Sequence, residues 1–159
     1  MVHKELVFKE VELEANGVID FKEFLNVLKE FFSRYDYSIN EKKYETKIKD
    51  GMKNTLIKWA PDRKYNDYNE AVIKIDIVLS NYKEGYSDGK KVVDGNLKVK
   101  IAGEMNRDYG DKWKSNPAKT FIRALYDKYV VNIKESNADV SLKNAINNLI
   151  SEIKQYLQI

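Results

Sequence analysis

The chain has 159 residues, no cysteine and a single histidine, with 33% charged and 43% hydrophobic residues and a formal net charge of +3. That length and mixture fit one domain with its own core and exclude a disordered chain. The missing thiols exclude disulfides, thiolate metal centres and cysteine nucleophiles, and one histidine, His3 beside the start, leaves no Ser-His-Asp relay. No apolar run approaches the roughly eighteen residues of a membrane span, and MVHKELVFKEVE carries acids where a signal peptide needs an apolar core, so a cytoplasmic protein without a span is expected.

In chain order, Lys4 to Leu13 alternates in two phases, Leu6 and Phe8 then Val11 and Leu13, which predicts a strand with a bulge or break. Asn16-Gly17 predicts a turn. The segment EANGVIDFKEFLNVLKEFF resembles the second half of an EF-hand, with Asn16, Gly17, Ile19, Asp20 and Glu23 at the fifth, sixth, eighth, ninth and twelfth loop positions. The first and third positions hold Glu12 and Glu14, whose longer side chains displace the ligand oxygen that aspartate would supply there. The reading adopted is therefore an N-cap at Asp20 with Glu23 as its capping-box partner, and no metal. Phe21, Phe24, Leu25, Leu28, Phe31 and Phe32 then share one face of a first helix that ends near Ser33-Arg34.

Tyr35, Tyr37 and Ile39, then Tyr44, Thr46 and Ile48 in the opposite phase, predict one long strand bulged around Asn40-Glu41. Asp50-Gly51 is a two-residue hairpin signal, with a return strand from Met52 to Trp59 stopped by Pro61 and a loop from Asp62 to Asn69. Ile73, Ile75, Ile77 and Leu79, and again Leu97, Val99 and Ile101, alternate with polar residues as half-buried strands do. Between them Asp88-Gly89 is the hairpin turn, with Asp94-Gly95 as a bulge or a competing turn. Asn116 and Pro117 open a helix whose apolar face runs from Ala118 to Val130. Asn137 or Asp139 caps a last helix with Leu142, Ala145, Ile146, Leu149, Ile150, Ile153, Tyr156 and Leu157 on one side.

The sum is a single α+β domain over residues 1–159, an antiparallel sheet of about five strands packed on helices in the order β-α-β-β-β-β-α-α. Its layout resembles a reduced helix-grip (START-like) arrangement, which implies a curved sheet around the C-terminal helix with a cavity between them. The pieces EKKYE at 41–45, GEMNRDYGDKW at 103–113 and NPAKTFIRALYDKYV at 116–130 resemble a group of uncharacterised small archaeal α+β proteins. That resemblance implies the fold and an archaeal source, and it carries over no functional residue.

Function is read from what chemistry remains. Carboxylates at Glu104, Asp108 and Asp111 are the only catalytic route considered, and loop aspartates beside Gly110 more often form turns; no cofactor or catalytic residue is assigned. The aromatics Trp59, Tyr68, Tyr82, Tyr86, Tyr109 and Trp113 lie near strand ends, suited to a cleft or to an anchoring patch. They support first a non-catalytic protein-binding or self-assembling module, a homo-oligomer using the loop around Asp108 to Trp113 and an exposed sheet edge. The alternative is a carrier of a small apolar or aromatic ligand between the sheet and the last helix. Residues 41–64 hold eight basic against four acidic side chains. The third reading is therefore binding of nucleic acid or the ribosome through Lys42, Lys43, Lys47, Lys49, Lys53, Arg63 and Lys64, weakened because the sheet lacks paired exposed aromatics.

Overall fold

Alternation builds the sheet. The computed structural model describes residues 3–107 and 132–159. Over them the order is strand β1 (His3–Ile19), helix α1 (Phe21–Arg34), strands β2 (Glu41–Lys49), β3 (Met52–Trp59), β4 (Asp62–Lys64), β5 (Asn69–Ser87) and β6 (Lys90–Arg107), and helix α2 (Asn132–Leu157). The strands form one open antiparallel sheet in the order β1-β6-β5-β3-β2, with β4 paired to β5 beyond the end of β3. This is an α+β fold. The helix expected after Pro117 and the loop from Asp108 to Ser115 lie outside the described residues.

Both helices lie on one face of the sheet, the inner face. Ile73, Ile75, Ile77 and Leu79 of β5 and Leu97, Val99 and Ile101 of β6 point inward and are fully buried. Helix α1 adds Phe24, Leu28, Phe31 and Phe32, and α2 adds Leu142, Ile146, Leu149 and Ile153. Burial of such side chains contributes roughly 1.5–3 kcal/mol each, so this shared layer dominates the stability. The outer face carries cross-strand charge: Lys58 pairs with Asp76, Lys74 with Glu104 and Lys98 with Glu12. Among the described residues no helix is long and apolar enough to cross a membrane.

The N-cap signal at Asp20 and the helix end at Arg34 hold, while the reciprocal bond from the Glu23 side chain does not form among the described residues. The Asp20 carboxylate accepts from the Glu23 N–H at 3.1 Å, so the N-cap reading accounts for the EF-hand-like letters and the residues before it are a strand. At the other end the Tyr37 N–H reaches the Phe32 carbonyl, and Asp36 takes a left-handed φ of 60°. The two hairpins also form where expected. Asp50-Gly51 and Asp88-Gly89 have φ of 54° and 77°, and of 51° and 79°, the doubly positive pair that a two-residue turn between twisted strands requires.

Four expectations are corrected. Asn16-Gly17 is not a turn: both stay in β1 opposite Asn96 and Gly95, and the Asn96 amide donates across to Glu14 and Asn16, so the chain reverses only at Asp20. The strand expected from Tyr35 begins at Glu41, because the buried Tyr37 ring packs on Phe32 and only Ser38 makes a bridge, to Asp62. Asp62 to Lys64 is a short strand instead of part of a loop; Pro61 interrupts the ladder and pairing with β5 resumes past it, which brings the sheet to six strands. Asn137 and Asp139 lie inside α2, and Asp139 is drawn to the buried Arg107 guanidinium at 3.2 Å, which also reaches Glu5 at 2.8 Å and Asn69 at 3.1 Å.

Candidate functional site

Irregularities in four strands fall on one line across the sheet. The β5–β6 register slips between Ser80 and Lys83, where Asn81 takes φ 51° and its N–H is held by the Asn54 side chain at 3.0 Å. The β3–β5 register slips between Lys53 and Thr55. In β6 the same line is Gly95, where a Cβ would stand 2.6 Å from the Tyr82 Cβ and 2.9 Å from the Ser80 carbonyl oxygen. In β1 it is Gly17, opposite Gly95, with φ 121°. Extra residues and glycines of this kind bend and twist a strand. Beyond the line Val93 still belongs to the core cluster, the remainder of the β5–β6 hairpin is largely exposed, and the first turns of α1 line a cleft with it.

That space is a half-open cleft of about 510 Å³, within the size range of small-molecule sites. Phe21 and Leu25 of α1 line one side; Tyr44 of β2 and Val93 of β6 line the other. At its base the buried Thr55 hydroxyl shares hydrogen bonds with Tyr82 OH at 2.8 Å and with Thr46 Oγ1 at 2.9 Å, a hydroxyl chain across β5, β3 and β2. The charged groups sit at the rim. Glu84 binds Lys53 at 2.9 Å and Lys91 at 3.0 Å, and hydrogen bonds from those two ammonium groups hold its carboxyl below the usual glutamate range. Lys53 is raised in turn, chiefly by its bond to Glu84. Asp20 is occupied as the cap of α1. Lys22 and Lys90, also on the rim, make no ion pair among the described residues. The arrangement suits a molecule with an apolar body, one hydrogen-bonding group turned to the hydroxyls and an anionic group turned to the lysines.

The aromatic set is divided by the structure. Trp59, Tyr68 and Tyr82 are buried: Trp59 bonds Glu41 at 3.2 Å and lies under Lys29, while Tyr82 forms the base of the cleft. Tyr86 is 79% exposed on the bent hairpin. Tyr109 and Trp113 lie outside the described residues, as do Asp108 and Asp111; Glu104 is bound to Lys74 at 3.0 Å on the outer face.

The seven basic residues do not gather on one surface. Lys43 and Lys47 point outward and share Glu45, whose carboxyl they hold below its usual range. Lys53 points inward to Glu84, and Arg63 donates to the Tyr35 carbonyl and stacks on Tyr65. Lys42 borders a separate outer depression of about 390 Å³ with Lys58, Lys74 and Lys100. Lys49 ends β2, and Lys64 ends β4.

Sequence reasoning singled out Tyr82 among the cleft residues and passed over Thr55, Lys22 and Lys90. Only glycine inside a strand pattern, at Gly95, pointed toward this end of the sheet. No family model, no curated protein and no solved structure matches the chain.

Proposed function

We propose that this chain is a reduced helix-grip layout that carries a small ligand with an apolar or aromatic body and an anionic group, held in the cleft between α1 and the bent β5–β6 hairpin. The observation that supports it is the cleft itself: apolar walls, a buried hydroxyl chain at the base and two rim lysines, Lys22 and Lys90, that make no ion pair among the described residues. The space under α2 is occupied by Leu142, Ile146, Leu149 and Ile153, so the ligand site is assigned to the α1 side. Anilinonaphthalene sulfonate, an anionic aromatic fluorophore, is a direct probe, with decanoate as competitor. The native protein is expected to bind it, Leu25→Trp to fill the cleft and weaken it about tenfold or more, and Lys22→Glu with Lys90→Glu to do the same while leaving the melting curve in place. Fluorophore binding that all three substitutions leave unchanged removes the cleft as the site.

A second reading, self-assembly, is favoured by β2. It ends the sheet with no second neighbour among the described residues, and it exposes Tyr44 and Ile48 to 58% and 71%. An edge of that kind is a template for another strand.

A further inference from the structure

We infer that β2 pairs with β2 of a second copy of this chain, antiparallel, about a two-fold axis at Thr46. The inference rests on the self-assembly reading and adds to it a register and a set of side-chain pairs.

The regular part of β2 limits the registers it can offer. Its register with β3 slips between Glu41 and Lys43 and is unbroken from there to Lys49. Over that run Tyr44, Thr46 and Ile48 share the inner face with Thr55 and Ile57, and Lys43, Glu45, Lys47 and Lys49 share the outer one. A two-fold pairing that uses the whole run has its axis at Thr46, the central residue. Directly opposed residues in an antiparallel pair point to the same face. On the inner face Tyr44 then meets Ile48 of the partner subunit, twice by symmetry, so each exposed apolar group covers the other. On the outer face Glu45 meets Lys47 of the partner subunit, again twice. Lys43 meets Lys49 of the partner subunit at the two ends, where water screens them and Lys43 already has Glu45 at 3.1 Å.

The neighbouring registers do worse. An axis at Glu45 sets that carboxylate against itself and Lys43 against Lys47. An axis at Lys47 sets two ammonium groups together. An axis at Tyr44 pairs Glu45 with Lys43 but keeps only Lys43 to Glu45 of the regular run and leaves Ile48 opposite Asn40, which lies before the strand. Lysines on an edge strand ordinarily guard it against pairing. Here the acid between Lys43 and Lys47 makes the guard selective: like charges oppose the axes at Glu45 and Lys47, the axis at Tyr44 gives up half of the regular run, and the one centred on Thr46 keeps the whole run.

The pairing also bears on the cleft. Tyr44 lines the cleft, so Ile48 of the partner subunit stands beside that wall and lengthens it.

Charge reversal tests the register. Wild type should sediment toward twice its 18.6 kDa as concentration rises. Glu45→Lys places lysine opposite lysine, and Lys47→Glu places glutamate opposite glutamate; each variant alone is expected to weaken the dimer about tenfold or more. Mixing the two variants sets Lys against Glu at both positions and should restore the dimer. With the axis at Glu45, by contrast, Lys47→Glu would strengthen it. Ile48→Lys, a change at an exposed side chain, gives an independent loss should a charge variant fold poorly by circular dichroism. A wild type that stays at 18.6 kDa at about 1 mM ends self-assembly and this inference with it. A dimer that the single variants leave intact, or that their mixture does not restore, keeps self-assembly and overturns the β2 register.

Discussion

The two helices cover the same sheet in opposite ways. Under the middle of α2 the inner face is closely packed: a Cβ on Gly103 would stand 2.5 Å from Ile146 Cδ1 and 3.1 Å from the Phe8 Cβ. Under the first turns of α1 the same strands, past the line through Gly17, Gly95 and Asn81, leave about 510 Å³ open. Apolar alternation does not separate the two ends, since Ile19 and Val93 beyond the line are as buried as Leu13 before it. The bend does. Where the strands run true, side chains from α2 pack against β5 and β6; where they turn away, Thr55 and Tyr82 take the inward positions and bond each other at the base of the cleft. A sheet of this kind keeps a filled end for stability and has an end that can hold something else.

The largest effect is expected at the filled end. Leu149→Ala removes a fully buried side chain from the middle of α2 and should lower stability by about 3 kcal/mol in urea unfolding. Fluorophore binding by the folded protein should not change, because Leu149 does not line the cleft. Gly95→Ala acts at the bend. Its added Cβ meets the Ser80 oxygen and the Tyr82 Cα, both backbone atoms at 2.9 Å, so the strands must shift. A cost of about 2 kcal/mol is expected, together with weaker binding as Tyr82 is displaced from the cleft base. A Gly95→Ala protein that binds as the wild type does would separate the bend from the site.

The packed layer and the two tight turns were readable in the sequence because their causes are local. Ile73 to Leu79 and Leu97 to Ile101 alternate without interruption, and Asp50-Gly51 and Asp88-Gly89 supply turns that need no distant partner. The bend and the cleft beside it were not. Asn16-Gly17 carries the same kind of letters as those turns, and only Gly95 and Asn96 across the ladder make it a bend. The hydroxyl chain joins Thr46, Thr55 and Tyr82, which come together only through the β2–β3–β5 registers. The basic run read as one zone is split because alternation sends Lys43 and Lys47 outward and Lys53 inward. Charge counted along a chain says nothing about the face on which it emerges.

The two ends should also fail at opposite ends of the pH scale. Near the filled end the buried Tyr37 hydroxyl shares a hydrogen bond with Tyr65 at 3.2 Å; burial first, and that bond second, push its pKa far above the usual 10.0. A group whose folded value is raised contributes stability that is whole below the unfolded value and is lost as pH climbs toward the folded one. Stability should therefore decline above about pH 10, and Tyr37→Phe should flatten that decline at a cost of about 1 kcal/mol at neutral pH. At the open end Glu84 has the reverse sign: its carboxyl, bonded to Lys53 and Lys91, lies below the usual 4.5, so its contribution is whole at neutral pH and is lost as pH falls through the depressed value. Because Glu84 is exposed, water screens the effect, and it should appear as loosening of the hairpin before global unfolding. Amide exchange of Val92 and Val93 is the measurement. Protection there that falls in acid in the wild type, and is already low and indifferent to acid in Glu84→Gln, ties the bent hairpin to this carboxylate. Protection that falls equally in both places the acid-sensitive contact elsewhere.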